Sequence, residues 1–316
     1  MAYFTGTATS LTDLLTKVVG HVNGVNGWTA SYASSIGTFT KNDVGFHVER
    51  ADVTTGYDAF HLSGWTTAGG PNNLDAVSEV TLAGQVGKPR CYPLPEANAI
   101  PGYHVFVSPD YQVIVVFQIY PGVWRRFQFG VISKVGTWKG GAYIGCTYSN
   151  SENYLGGIYV GRQEQQYELF VSSGATNSFA ITTQREDGSV RWASSQTLTY
   201  NTSYSYPVPI GPYYPYSYST YPGWHPHVAM SPHPQTGERI MLAWEIGIVR
   251  PSNYMSPAGY VPNVRFVSTK GLNDAEVITI NSEDWMVFPN AATGDPADTS
   301  LQYNTGYNGI AIKKIP

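Results

Sequence analysis

Charge is scarce in this sequence. Asp, Glu, Lys and Arg make up 13% of its 316 residues, about half the share usual in a soluble domain. A surface so thinly charged must be covered by neutral polar and aromatic groups. That suits broad protein contacts, whose centres favour Tyr and Trp over Lys and Glu, and equally a secreted or glycan-facing β protein. The formal net charge is −4, and no run of Lys or Arg interleaves with aromatics, which argues against a nucleic-acid track. Cysteine is nearly absent. With only Cys91 and Cys146, neither a disulfide framework nor a Cys-rich zinc site can be built, and two buried thiols are a simpler expectation than one disulfide. No stretch approaches the ~18 consecutive apolar residues of a membrane helix. The N-terminus lacks a basic region followed by an apolar core, so the chain is expected to be soluble and made without a classical secretion signal.

Several catalytic signatures are missing too. The glycines of T-T-A-G-G-P-N-N (66–73) do not form G-x-G-x-x-G between a strand and a helix, there is no H-E-x-x-H, and no G-x-S-x-G elbow exists. A Rossmann domain is further excluded by the lack of 10–15 residue helical patterns between candidate strands.

What is present is a long β pattern centred on Tyr103–Tyr148. In D-Y-Q-V-I-V-V-F-Q-I-Y, Val113, Val115, Phe117 and Ile119 share one face, while Ile114, Val116, Gln118 and Tyr120 share the other. Both faces are largely apolar, which predicts protein on both sides of this strand. Pro121 and Gly122 break it, and W-R-R-F-Q-F-G-V-I-S-K-V follows as an antiparallel partner. Arg125 and Arg126 alternate there, so at least one is expected to face solvent or a partner. Gly130, Gly136 and Gly140–Gly141 read as turns or close backbone approaches.

Upstream, Ser10 and Asp13 have capping-box spacing, with Asp where Glu is commoner. Leu11, Leu14, Leu15, Val18, Val19 and Val22 then form one helical face, which ends near Gly20–Gly24. This helix could pack on the sheet or dock on a partner. Candidate strands follow at Val44–Glu49, Tyr57–Trp65 and Val77–Ala83. Downstream, strand patterns recur near Tyr167, Ala180 and Arg191, with a hairpin signal at Glu186–Gly188. They resume at Ile240–Ile248, Val264–Ser268, Val277–Ile280, Trp285–Phe288 and the C-terminal N-G-I-A-I-K-K-I. No regular repeat emerges, which argues against a propeller or solenoid.

The exception is 200–226, where tyrosines alternate with Pro207, Pro209, Pro212, Pro215 and Pro222. So many prolines cannot occupy a central strand, and they favour a stiff extended or turn-rich excursion. The segment is either a loop clamped on its own domain or an arm against a neighbouring subunit or receptor, where Tyr supplies contact area with a polar tip. Tyr204, Tyr206, Tyr213, Tyr214, Tyr216, Tyr218, Tyr221 and Trp224 are the candidate protein-contact residues.

Catalytic and metal chemistry is weakly signalled. His225, His227 and His233 come closest to a metal set, but no Cys or Asp–His arrangement completes it, so surface or packing roles are expected and neither metal nor cofactor is assigned. Asp110, Glu168, Glu245 and Asp284 lie near strand edges without a spacing that places two across a cleft, as a glycosidase requires. The eight tryptophans are dispersed, which fits core anchors better than a sugar-stacking strip.

The opening M-A-Y-F-T-G-T-A-T-S-L-T-D-L-L-T-K-V with its following N-G-W, the central W-R-R-F-Q-F-G-V-I-S-K-V-G-T-W-K-G-G-A-Y and the closing Y-N-G-I-A-I-K-K-I resemble structural proteins encoded by tailed bacteriophages. The resemblance runs along the whole chain in order and character but contains no catalytic motif. It implies a non-enzymatic virion component of the tail, baseplate or head-to-tail collar, made in the host cytoplasm and incorporated in multiple copies. Its expected partners are other virion proteins and copies of itself, with a host glycan or receptor as a further candidate. Two alternatives remain beside it: a receptor-binding or carbohydrate-binding tail protein, and a cell-envelope polysaccharide or peptidoglycan hydrolase. The expected fold is mainly β, an antiparallel β-sandwich or related multi-sheet fold with a short N-terminal amphipathic helix. Its expected parts are the helix and lead-in (1–30), an antiparallel core (31–199), the Tyr/Pro-rich loop or arm (200–226) and a C-terminal β region (227–316) completing the same core.

Overall fold

The computed structural model describes residues 1–54, 57–66, 90–95, 99–120, 123–146, 179–184, 190–194, 206–210, 236–250, 254–289 and 308–314. These form a mainly β protein of several antiparallel sheets and one short helix, α1 (Leu11–Val22). Three sheets are present among the described residues.

The central sheet is built around the predicted two-faced strand. β1 (Ala2–Ala8), β7 (Ile100–Ser108), β8 (Gln112–Tyr120), β9 (Val123–Val131), β11 (Ala142–Cys146), β12 (Phe179–Gln184) and β13 (Val190–Ser194) lie side by side in that order. Strand period alone sends alternate residues of β8 to opposite faces, and each face enters a different core. Val113, Val115, Phe117 and Ile119 join one cluster, while Ile114 and Val116 join another.

The first core is closed by α1 and a second sheet. That sheet contains β2 (Thr29–Ala33), β3 (Ile36–Lys41), β4 (Val44–Thr54), β5 (Tyr57–Thr66) and β6 (Arg90–Pro95). Every apolar position of the helical stripe is buried against Phe39, Phe46, Val48, Phe60 and Leu62, so the helix packs as core. Its start follows the predicted cap, with the Asp13 N–H donating to Ser10 Oγ at 3.1 Å. The reciprocal bond reaches one residue further back than a capping box would, from the Thr9 N–H to Asp13 Oδ2 at 2.8 Å. Phe129 sits at the centre of this core, with ring centroids 5.7 Å from Trp28 and 4.9 Å from both Phe39 and Phe46. Lys41 clamps the β3–β4 hairpin to the turn after β7. Its ammonium donates to the Pro109 carbonyl at 2.8 Å and sits 4.3 Å over the Tyr111 ring.

The second core lies between the central sheet and a third. The third runs β14 (Tyr206–Ile210), β15 (Met241–Arg250), β16 (Tyr254–Ser268), β19 (Asn308–Lys314), β18 (Glu283–Pro289), β17 (Glu276–Ile280), with β10 (Ser133–Lys134) paired to β16. Trp244, Ile246, Val261, Val264, Met286, Phe288, Ile310 and Ile312 meet Phe106, Ile114, Val116, Trp124 and Tyr143 there. The chain itself crosses between the sheets, since β9 leads directly into β10. Gly140, with φ +101, makes this crossing region fit: a Cβ there would lie 2.5 Å from the Thr182 carbonyl oxygen.

Three features depart from the sequence reading. Residues 2–8 form a strand paired to β7 instead of a lead-in, and β2 and β3 were not anticipated. Arg125 and Arg126 are both buried, at 4% and 5% exposure, against the expectation that one would be accessible. The reason is their position on β9, inside a sheet covered on both faces; Arg126 lays its guanidinium 5.7 Å over the Trp244 ring. Val77–Ala83, the segment near Tyr167, the Glu186–Gly188 turn and Pro121–Gly122 lie outside the described residues. The pairing of β12 with β13 is nevertheless antiparallel, as that turn signal requires.

Candidate contact surfaces

The Tyr/Pro-rich segment enters the described structure only through β14. Its backbone pairs antiparallel with β15, Tyr206 opposite Val249 and Ile210 opposite Glu245, and it ends the third sheet on that side. Pro207 and Pro209 are tolerated there because an edge strand needs ladder donors on one side only. Among the described residues, this part of the excursion is a sheet edge. Tyr204, Tyr213, Tyr214, Tyr216, Tyr218, Tyr221 and Trp224 lie outside the described residues, as do His225, His227, His233 and Glu168.

The remaining sequence candidates separate. Asp110 occupies the β7–β8 turn, where its N–H donates to Ser108 Oγ at 3.0 Å. Asp284 lies on β18 and accepts from Thr279 Oγ1 at 2.6 Å. Glu245 is exposed on β15, across from Tyr260. Each sits on a different element. Among the described residues, no three His, Cys, Asp or Glu side chains gather as a metal site. Cys146 is buried in the first core. Trp28, Trp124, Trp244 and Trp285 are buried, which agrees with core anchoring.

Two polar constellations were not legible in the sequence. One joins the central and third sheets: the Gln112 amide donates to the Tyr143 hydroxyl at 2.8 Å, and Asn263 Nδ2 donates to Gln112 Oε1 at 3.2 Å and Ser108 Oγ at 3.1 Å. Asn263 takes φ +56 in a bulge of β16, which turns its amide towards the central sheet. Burial drives the Tyr143 phenol far above its ordinary range and keeps it protonated. The other gathers the chain ends. His104 has ring centroids 5.4 Å from Trp124, 5.2 Å from Phe288 and 5.9 Å from Tyr3, and its Nδ1 lies 2.7 Å from the Tyr3 hydroxyl. Lys314 sits 5.1 Å over the Tyr3 ring. Burial, helped by the Lys314 charge, lowers the His104 pKa from 6.5 to about 4, so the imidazole is neutral near pH 7. Its five members come from positions 3, 104, 124, 288 and 314, which no local pattern connects.

The sheet edges form the third kind of surface. At β1 the register shifts between Gly6 and Ala8, and Lys17 donates to the Thr7 carbonyl at 2.9 Å. At β2 the Ala30 N–H is taken by Asn23 Oδ1 at 3.1 Å. β6 carries Pro93 and Pro95, β14 carries Pro207 and Pro209, and β13 carries Arg191. These are the usual devices against unwanted strand pairing. β17 has none along Val277–Ile280. No protein-family model matches the chain, and no curated protein matches it.

Proposed function

We propose that this chain is a non-enzymatic structural component of a tailed-bacteriophage particle, in its tail, baseplate or collar, that works through multimeric protein contacts. The observation that carries the reading is the position of β14. Among the described residues, the Tyr/Pro-rich segment supplies an edge strand, β14, and a sheet edge rich in Tyr and Pro is a surface suited to contact with a neighbouring subunit. A stack of sheets sharing two cores is a stiff frame for such contacts. Its closure as a β-sandwich belongs to the same proposal. The sequence resemblance and the sparse surface charge support the same reading.

The test is localisation in intact particles by immuno-electron microscopy, combined with deletion of 211–222, which removes the flanking residues while keeping β14. The deleted protein is expected to keep its urea midpoint within error and to lose incorporation into particles. Absence of the full-length protein from purified particles overturns the proposal.

A further inference from the structure

We propose that β17 is a self-pairing edge, through which two copies of this chain join their third sheets into one continuous antiparallel sheet. Naming a second copy as the partner rests on the assembly reading for its biological setting, while the pairing itself follows from the strand.

The hairpin geometry decides which backbone groups are available. Asn281 and Ser282 both have positive φ, 52° and 63°, and form a two-residue turn between Ile280 and Glu283. The residues flanking such a turn make a hydrogen-bonded pair, and the alternation then assigns Ile278 to β18 as well. The N–H and C=O groups of Val277 and Thr279 therefore point away from β18, at the end of the sheet. At the near end, Ala275 with φ +56 donates its N–H to the Val287 carbonyl at 3.0 Å, and the Glu276 carboxylate accepts from the Asn273 N–H at 2.7 Å. That irregularity stops at Glu276, leaving 277–280 straight.

Two outward residues separated by one define a two-fold axis. With Ile278 opposite Ile278 of a second copy, Val277 faces Thr279 of the copy and Thr279 faces its Val277. Each of these pairs exchanges two backbone hydrogen bonds. Glu276 then faces Ile280 of the copy, so no like charges oppose. Val277, 39% exposed, is one of the few large apolar side chains left in solvent among the described residues, and pairing would cover it. The other edges carry prolines, a bulge, a charge or a side-chain cap, whereas this one carries a β-branched run, V-I-T-I.

Cross-linking reads the register directly. In the proposed pair the two Ile278 residues form a non-hydrogen-bonded site with Cα atoms about 4.5 Å apart, within disulfide reach. Two copies of residue 279 are offset diagonally, beyond that reach. Ile278→Cys, Thr279→Cys and wild-type protein would be oxidised with copper phenanthroline and resolved on non-reducing gels. Mass would be followed by light scattering across a concentration series for wild type and Val277→Lys. The expected result is a covalent dimer for Ile278→Cys, wild-type levels for Thr279→Cys, and at least a ten-fold rise in the concentration at which Val277→Lys associates. If Ile278→Cys cross-links no better than Thr279→Cys, the register is wrong and the proposal falls. An unchanged association curve for a folded Val277→Lys overturns it as well; should that variant unfold, the cysteine pair decides alone. Cross-linked dimers of a protein absent from particles would keep the pairing and remove the virion role. Particle incorporation without the residue 278 cross-link would do the reverse.

Discussion

Acid should loosen the contact between the central and third sheets through one residue, His104. Its imidazole is packed among Trp124, Phe288 and Tyr3, and burial, with the Lys314 charge adding to it, lowers its pKa from 6.5 to about 4. Because the folded pKa lies below the unfolded one, the unfolded chain takes up a proton first as pH drops. Stability is therefore complete above about pH 6.5, falls through the window down to about pH 4, and levels off below it. The difference corresponds to about 3 kcal/mol in full, of which about 2 kcal/mol is lost by pH 5. Partial contact of the ring with solvent makes these upper figures. Urea unfolding of wild type and His104→Gln at pH 7.5 and pH 5 isolates the effect, because both proteins share their remaining titratable groups. His21, whose pKa burial also lowers, contributes equally to each. The variant is expected to be less stable at pH 7.5 but to lose about 2 kcal/mol less on acidification. Parallel losses in the two proteins would refute the claim that His104 is held neutral by its surroundings.

Other substitutions probe the frame. Phe129→Ala removes the ring that meets Trp28, Phe39 and Phe46 and should cost about 3–5 kcal/mol in urea unfolding, far more than a surface change. Tyr143→Phe leaves the Gln112 amide without its acceptor between the sheets and should cost about 1–3 kcal/mol while preserving the circular dichroism spectrum. Gly140→Ala forces a side chain into φ +101 and against the Thr182 carbonyl, and should lower stability by about 2 kcal/mol or more; a neutral effect on the thermal midpoint would mean the close approach is absent.

Much of the architecture was readable from residue pattern. Strand period is local, so the alternation of Val113, Val115, Phe117 and Ile119 against Ile114 and Val116 already required protein on both sides of β8, and each set enters its own core. The Ser10–Asp13 cap and the leucine–valine stripe of α1 are equally local, and their span agrees with the helix. The doublet Gly140–Gly141 was legible as a turn or a close approach, and only the structure chooses the close approach and the Thr182 carbonyl it is made to. Residues 2–8 misled because A-Y-F-T-G-T-A has no strong alternation and becomes a strand only by pairing with β7. Arg125 and Arg126 misled because charge argues for solvent, whereas their position inside a doubly covered sheet brings Trp244 beneath one guanidinium.

The contact surfaces divide in the same way. Abundant tyrosine, proline between 200 and 226, and scarce charge are fixed by the sequence alone, and the expectation of protein contacts comes from them. Which edges are blunted was decided by tertiary structure, since Lys17 reaches Thr7 and Asn23 reaches Ala30 only once the helix is folded against the sheets. The meeting of Tyr3, His104 and Lys314, and the Gln112–Tyr143–Asn263 link, likewise exist only after the layers stack. The physical reason is range: side-chain periodicity and capping act within one element, whereas the edge caps, the buried polar link and the shifted imidazole each require separate elements to pack together, across separations from 7 residues for Asn23 and Ala30 to 155 for Ser108 and Asn263.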